Sequence, residues 1–288
     1  MKYEAIERYR QDHSVGKMCR TLELAESAYY QWRRRKEAQE KKRAEEEPLI
    51  ETIRKVFDEN RQSYGYRKMG TALEDKGIYL SEYKIRRFMR ENGIYPVTTK
   101  KYKPNCKGKA TGKYLPDQLK QEFKVEKPNK VWAGDITYIK TVLGWVYLAV
   151  VIDLYNREII GYSLSKKCDS ELAKRALSNA LAHTNGGDGG IFHSDRGTQY
   201  CSKSFQQMLK KYGLTGSMSR AGTPYDNACV ESFFSIAKRE CVYRKEYADF
   251  EAVQTDLFEY IELFYNRKRL HSTLGNLSPV AFRLSNAA

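Results

Sequence analysis

The sequence predicts an α/β core, a mixed sheet with flanking helices, preceded by an all-α arm. Three observations predict it. Up to residue 95 the apolar residues recur at helical spacing. Between 131 and 164 they alternate or run continuously in β-branched and aromatic stretches. Beyond 170, helical and strand patterns take turns. The charge divides at the same place: residues 1–130 hold 32 Lys and Arg against 20 Asp and Glu, and residues 131–288 hold 19 against 16. A net charge of +15 on 288 residues points to a polyanionic partner.

In the arm, Val15, Met18, Cys19 and Leu22 mark a short helix. After a break at Glu23-Leu24, a second runs through Tyr29, Tyr30 and Trp32 into Arg33, Arg34 and Arg35. Two short helices with a tight turn suggest a helix-turn-helix, whose second helix lies in a major groove, and the three arginines become candidate DNA contacts. Mixed charges to Glu47 read as a solvated helix or linker closing a first unit, 1–47. Pro48 then restarts the pattern.

The second unit, 48–95, predicts three helices. Leu49, Ile53, Val56 and Phe57 mark the first; Met69, Ala72 and Leu73 face inward on the second, from Tyr66 to Asp75, which Gly77 stops. The third has Ser81 as N-cap, a stripe of Ile85, Phe88 and Met89, and Gly93 as its end. Lys84, Arg86, Arg87 and Arg90 fall off that stripe, so this second helix-turn-helix presents a basic surface, with Arg67 on the preceding helix. Residues 96–130, rich in Lys, Pro and Gly, read as a basic linker laid along phosphates.

Three strands follow: Val131 to Ile139, Trp145 to Leu154 and Glu158 to Leu164, with turns at Gly144 and Asn156-Arg157. Next come a helix from Ser170 to Thr184, a strand from Ile191 to His193, a helix from Ser204 to Tyr212 and a strand near Leu214 to Met218. After the Pro224 turn, a helix from about Ala228 to Val242 closes a core spanning 131–245. Three strands followed by alternating helices and strands is the order of a ribonuclease-H-like fold. Residues 246–288 form a helical extension, amphipathic over 249–267.

Asp135, Asp195 and Glu231 stand out within that core. Asp135 interrupts an apolar and aromatic strand, a costly place for a carboxylate that nothing cationic meets. Asp195 follows the tip of a strand, where open α/β sheets place ligands. Glu231 sits in the first turn of its helix, capped by Asp226 or Asn227, and shares a stripe with Ser235 and Lys238. Three carboxylates from separate elements are what a chain needs to hold two divalent ions against a phosphodiester, and oxygen ligands suit Mg²⁺, with Mn²⁺ as substitute. Spacing alone is weak support, since 36 acids supply many such triples. Asp153 and Glu158 read as a turn acid and a surface residue.

Taken in order, VWAGDITYI, VIDLYNREIIGY, HSDRGTQYCS, SRAGTPYDNACVESFFSIAKRE and YNRKRLHSTLGNLSPVAF resemble the integrase-core transposases of bacterial insertion sequences, most closely the insertion-sequence-3 family. The stretch from Tyr64 to Pro96 resembles that family's accessory helix-turn-helix. The resemblance implies a polynucleotidyl transferase with Asp135, Asp195 and Glu231 as its metal-holding acids. Lys238, with its neighbour Arg239, is implied to contact DNA near the terminus. It also implies terminal-repeat and target DNA as partners, more than one copy in a synaptic complex, and fusion to or partnership with an upstream-frame protein. Against retroviral integrases, His13, His183, His193 and His271 offer no pairing with cysteines for a zinc module. A DNA-binding regulator that occupies ends without cutting, and a nuclease acting on RNA hybrids, are the alternatives.

The six cysteines show no C-x-x-C spacing, the opening residues lack the apolar run of a signal peptide, and Trp145 to Ile152 is too short to span a bilayer. The expectation is a reduced cytoplasmic protein that gathers on the nucleoid.

Overall fold

The computed structural model describes residues 1–97, 114–119, 125–184, 189–219 and 227–286. The arm opens with α1 (Lys2–Tyr9) and α2 (Val15–Thr21), which pack Ile6 and Cys19 against Tyr29 of α3 (Glu26–Glu59). That third helix is unbroken over 34 residues, so the expected restart at Pro48 does not occur. Pro48 removes one amide donor, but the turn before it is solvated, and water replaces the missing partner of an exposed carbonyl. The boundary expected at 47/48 therefore falls inside one continuous helix.

The far end of α3 joins α4 (Tyr66–Glu74) and α5 (Glu82–Glu91) around Ile53, Met69, Leu73, Ile85 and Phe88. Ser81 caps α5 by accepting the Lys84 amide, and Gly77 and Gly93 close their turns at positive φ. Of the expected linker, 98–113 and 120–124 lie outside the described residues. Residues 114–119 lie on the core: Leu119 is buried and the Gln118 amide donates to Ser217 Oγ (2.9 Å). Residues 114–119 carry no Lys or Arg, and their apolar side chains seat the stretch on the core.

The core is a five-stranded sheet in the order β3-β2-β1-β4-β5, made of β1 (Val131–Thr141), β2 (Gly144–Asp153), β3 (Ile159–Ser165), β4 (Ile191–Ser194) and β5 (Thr215–Met218). The first three form the antiparallel meander; β4 and β5 add in parallel to β1. Helix α6 (Ser170–Thr184), the short α7 (Thr198–Cys201) and α8 (Lys203–Lys211) cover one face. Helices α9 (Ala228–Glu240) and α10 (Phe250–Phe258) cover the other, and α10 continues as a π-helical stretch from Glu259 to Tyr265. A last helix, α11 (Pro279–Ser285), lies within the stretch read as a helical extension, beyond its amphipathic part at 249–267.

Sheet and helix come close at Gly161. A Cβ there would meet Ala176 O and lie 2.5 Å from the Ala180 amide, both backbone of α6. Gly161→Ala is therefore expected to lower the free energy of unfolding by about 1–3 kcal/mol through overpacking, read as a reduced urea midpoint at constant slope.

Glu158 corrects its sequence reading. It is buried, not a surface residue, because Arg283 of α11 donates Nε to its carboxylate (2.9 Å) and Asn156 adds a second bond (2.7 Å). Asp153 is a turn acid as read, buried and accepting the Asn129 and Tyr155 amides.

Candidate active site

Strands β1 and β4 fix two of the acids by register. Their parallel pairing ends at Gly134 opposite Ser194, and the next residue along each is an acid, Asp135 still within β1 and Asp195 just past the end of β4. Gly134 allows this closeness, since a Cβ would stand 2.5 Å from the Phe192 ring. The third acid arrives at the same point. Asn227, buried at the N-cap of α9, reaches Gly134 O with Nδ2 (3.5 Å), and Glu231 follows in the first turn. One glycine on the central strand is thus where all three acid-bearing elements meet. The Pro224 turn and Asp226 lie outside the described residues.

Local bonds hold each acid. Asp135 Oδ1 accepts the Ile136 amide (2.7 Å) and Asp195 Oδ1 the Gly197 amide (2.9 Å). Arg196 donates to Ser219 O (2.7 Å) and lies 4.4 Å from the Tyr114 ring centroid, which pins the loop. His193 is fully buried between Ser217 (3.0 Å) and Ser219 (3.1 Å), joining β4 to the residues of β5 and just beyond.

The acids sense one another. Burial pushes Asp135 up to about 8, the Asp195 and Glu231 charges push the same way, and the Ile136 amide and Lys238 oppose. Asp195 is raised chiefly by burial, against the Gly197 amide. Glu231, an exposed residue, is raised by partial burial of its carboxyl and then by Asp195. Among the described residues, no three His, Cys, Asp or Glu side chains are gathered closely enough to hold an ion as they stand. The donors are nonetheless all carboxylate oxygens, the set that fits a hard divalent cation.

Lys238 lies on α9 with its Nζ 5.0 Å from the Tyr138 ring centroid; Arg239 is exposed and donates to Ser235 O (3.3 Å). On the helical module, Arg67 and Arg86 flank the Tyr66 ring at 5.6 and 5.8 Å, so α4 and α5 share one basic surface with exposed Arg90. Lys84 is half-buried over Phe88. Arg87 does not face outward as expected: it is tied to Glu46 on α3 (2.7 Å). Arg33 is similarly held between Glu7 and Glu37, whereas Arg34 and Arg35 are exposed.

The chain matches the family model described as integrase core domain over residues 125–224, and a second model of that description over 231–286. An HTH-like domain model matches 43–102 and a transposase model 1–63. Transposase InsF for insertion sequence IS3A from Escherichia coli (strain K12) is 38% identical, with all of both chains covered. The chain belongs to the insertion-sequence-3 family of integrase-core transposases. It is a DNA transposase with a ribonuclease-H-like core and helix-turn-helix modules. An uncharacterized 31 kDa protein of insertion element IS600 from Shigella sonnei is 36% identical over 92% of this chain and 97% of its own. Among solved structures, the simian T-cell lymphotropic virus intasome in complex with a PP2A subunit aligns with TM-score 0.48 and 18% identity, covering 76% of this chain and 71% of that one. The HTLV-2 integrase catalytic core domain in complex with magnesium aligns with TM-score 0.41 and 20% identity over 53% and 95%.

Several residues that frame the transposase site escaped sequence reasoning. In the sequence Asn227 reads only as a helix cap and Gly134 as an ordinary strand residue, although a glycine beside an acid in a β-rich run is a signal of close approach. Tyr200 packs edge-on against Phe205 (5.2 Å) and its buried hydroxyl has no hydrogen-bond partner among the described residues; burial raises its pKa, and the Asp135 and Asp195 charges push the same way.

Proposed function

We propose that Asp135, Asp195 and Glu231 form the active site of a metal-dependent polynucleotidyl transferase that hydrolyses a phosphodiester at the element's end and joins the freed 3′-OH to a second DNA. The observation that carries this reading is the meeting of the three acid-bearing elements at Gly134, with each acid raised by burial and at least one neighbour's charge entering at Asp135 and Glu231. Such crowding is unfavourable in a structural cluster and is relieved by cations. The three would hold two Mg²⁺ ions. When bound, the ions supply charge stabilisation and activation of the attacking oxygen in an in-line displacement. Asp135 and Asp195 stay fixed through the Ile136 and Gly197 amides, while Glu231 closes the set from α9. Lys238 and Arg239 hold backbone phosphates beside the acids.

Recognition of the terminal repeat falls to the basic surfaces: Arg67, Lys84, Arg86 and Arg90 on the second module, Arg34 and Arg35 on the first. Arg33 and Arg87 support these helices through their ion pairs, and either releases its carboxylate partner only if DNA competes for it. Two ends and a target require at least two copies in the synaptic complex, and an upstream-frame protein is a further partner.

A nicking assay on end-containing duplex, with Mg²⁺ or Mn²⁺, tests the reading. Wild type is expected to cut and Asp195→Asn to bind without cutting. Equal cutting by both proteins removes Asp195 from the chemistry, and binding without cutting by wild type favours the regulator.

A further inference from the structure

Past Gly134 the pairing between β1 and β4 stops, and β1 continues for seven residues into the hairpin with β2. That hairpin is unusually apolar for an exposed tip. Val142 and Leu143 are 75% and 82% exposed, and Trp145 is 49% exposed. The other two tryptophans are more covered: Trp32 half-buried, Trp132 buried. Trp145 stands edge-on to Tyr138, centroids 5.2 Å apart at 82°, and pairs across the ladder with exposed Lys140. Lys238 of α9 covers the Tyr138 ring, and the same lysine's charge reaches Asp135. A polar loop would have served to turn the chain; an apolar tip with an indole face left open costs solvation and calls for an occupant.

The surroundings specify the chemistry of that occupant. Lys140, opposite Trp145 in the ladder, and Lys238, over the Tyr138 ring, set positive charge beside the aromatic pair, which suits a polyanion and opposes a basic or neutral protein surface. Every base offers a π-face, and an indole next to lysines is the arrangement on which bases stack while phosphates are held. Tyr138 lies three residues beyond Asp135, about 10 Å along the strand. That is roughly three base steps of about 3.4 Å. Tyr138 points to the sheet face opposite Asp135, and Lys238 bridges the two around the edge of β1 that β4 leaves between Asp135 and the bridge from Thr141 to Tyr247.

Resting on the transferase reading above, we propose that Trp145, supported by Tyr138, is a stacking platform for an unpaired nucleobase near the transposon end, and that the Val142–Leu143 tip wedges the duplex apart beside it. The bases exposed when the end is opened are then held a few steps from the cut, which fixes the scissile phosphate over the acids.

The test uses the full chain, a duplex end with 2-aminopurine placed in turn at each of the four terminal positions, and Ca²⁺ to prevent cutting. Stacking on an indole quenches 2-aminopurine, so wild type should quench at one or two positions where Trp145→Ala leaves the probe bright. Affinity for a frayed end should fall about tenfold in Trp145→Ala, with the salt slope unchanged because no charge is lost. Trp145→Phe should retain most of the quenching and the affinity, which separates lost stacking from lost folding; the melting temperature of both variants is read alongside. Identical probe signals in wild type and Trp145→Ala overturn the platform, as does an affinity loss seen only at melting temperatures far below wild type. If wild type nicks ends and Asp195→Asn does not, while the probe never responds, the active-site reading stands and this inference falls. Binding of Trp145 to a second copy instead would appear as a mass change without DNA that Trp145→Ala abolishes, and would also overturn it.

Discussion

Asp135→Asn is expected to abolish end cleavage and at the same time raise the melting temperature of the metal-free protein. The activity loss should be on the order of a thousandfold or more, since several kcal/mol of charge stabilisation depend on the acids holding their cations. The stability gain follows from crowding. In the folded chain the Asp135 carboxyl is pushed up to about 8 by burial and by Asp195 and Glu231, against about 3.9 when unfolded. Below about pH 4 both states keep the proton and nothing is lost. As pH rises towards 8 the unfolded chain gives up its proton first, so the folded state loses stability across that window. Asparagine keeps the acceptor for the Ile136 amide and removes the titration. At pH 7.5 in chelator the variant should melt about 2–4 °C higher, the equivalent of about 1 kcal/mol in a chain of this size, and the difference should vanish near pH 4. Added Mg²⁺ should raise the wild-type melting temperature and leave the variant where it was. A variant that melts lower than wild type at pH 7.5 without metal would show that the carboxyl stabilises the fold.

Breaking the buried pair Glu240–Arg269 should have the largest effect on stability. Arg269 donates Nε to Oε2 and an Nη to Oε1 of Glu240, both at 2.8 Å, and Tyr260 adds its hydroxyl at 2.9 Å. All three side chains are buried. Arg269→Met leaves a carboxylate in the interior with one remaining neutral donor, at a cost of about 3–5 kcal/mol. Glu240→Met with Arg269→Met removes both charges and should cost clearly less than the sum of the single changes. Urea denaturation of the four proteins measures this; additive changes would mean that the pair does not act as a unit. Because Glu240 lies on the same helix as Glu231, the single variant should also lose cutting activity at temperatures where it remains folded.

The contrast between these two predictions marks what the sequence made legible. Asp135, Asp195 and Glu231 stand out in the sequence because each sits in a local pattern that it violates or completes: an acid in a strand, an acid past a strand end, an acid in a first turn. The five strands and α6, α8 and α9 followed from periodicity for the same reason. Glu240 and Glu158 could not be found, since their partners Arg269 and Arg283 lie 29 and 125 residues away and a local pattern carries no sign of them. Asn266 is a third case. Its side chain bonds both the amide and the carbonyl of Ile159 at 3.0 Å, imitating a neighbouring strand at the end of β3. In sequence it is only an asparagine in a motif. Pro48 failed in the opposite way, as a strong local signal that an exposed helix tolerates.

Tyr64 has a practical consequence. Its hydroxyl accepts the Leu270 amide (2.8 Å) and donates to Lys268 O (3.3 Å), while Arg244 bonds Arg61 O (2.6 Å) and Gln62 (2.9 Å). Leu270 itself is buried among the side chains of α3, α4 and α5. Anyone trimming this gene to express the sheet alone would leave that amide orphaned and that leucine wet. A well-behaved fragment should start no later than the second half of α3, and aggregation of shorter ones would reflect where the scissors fell.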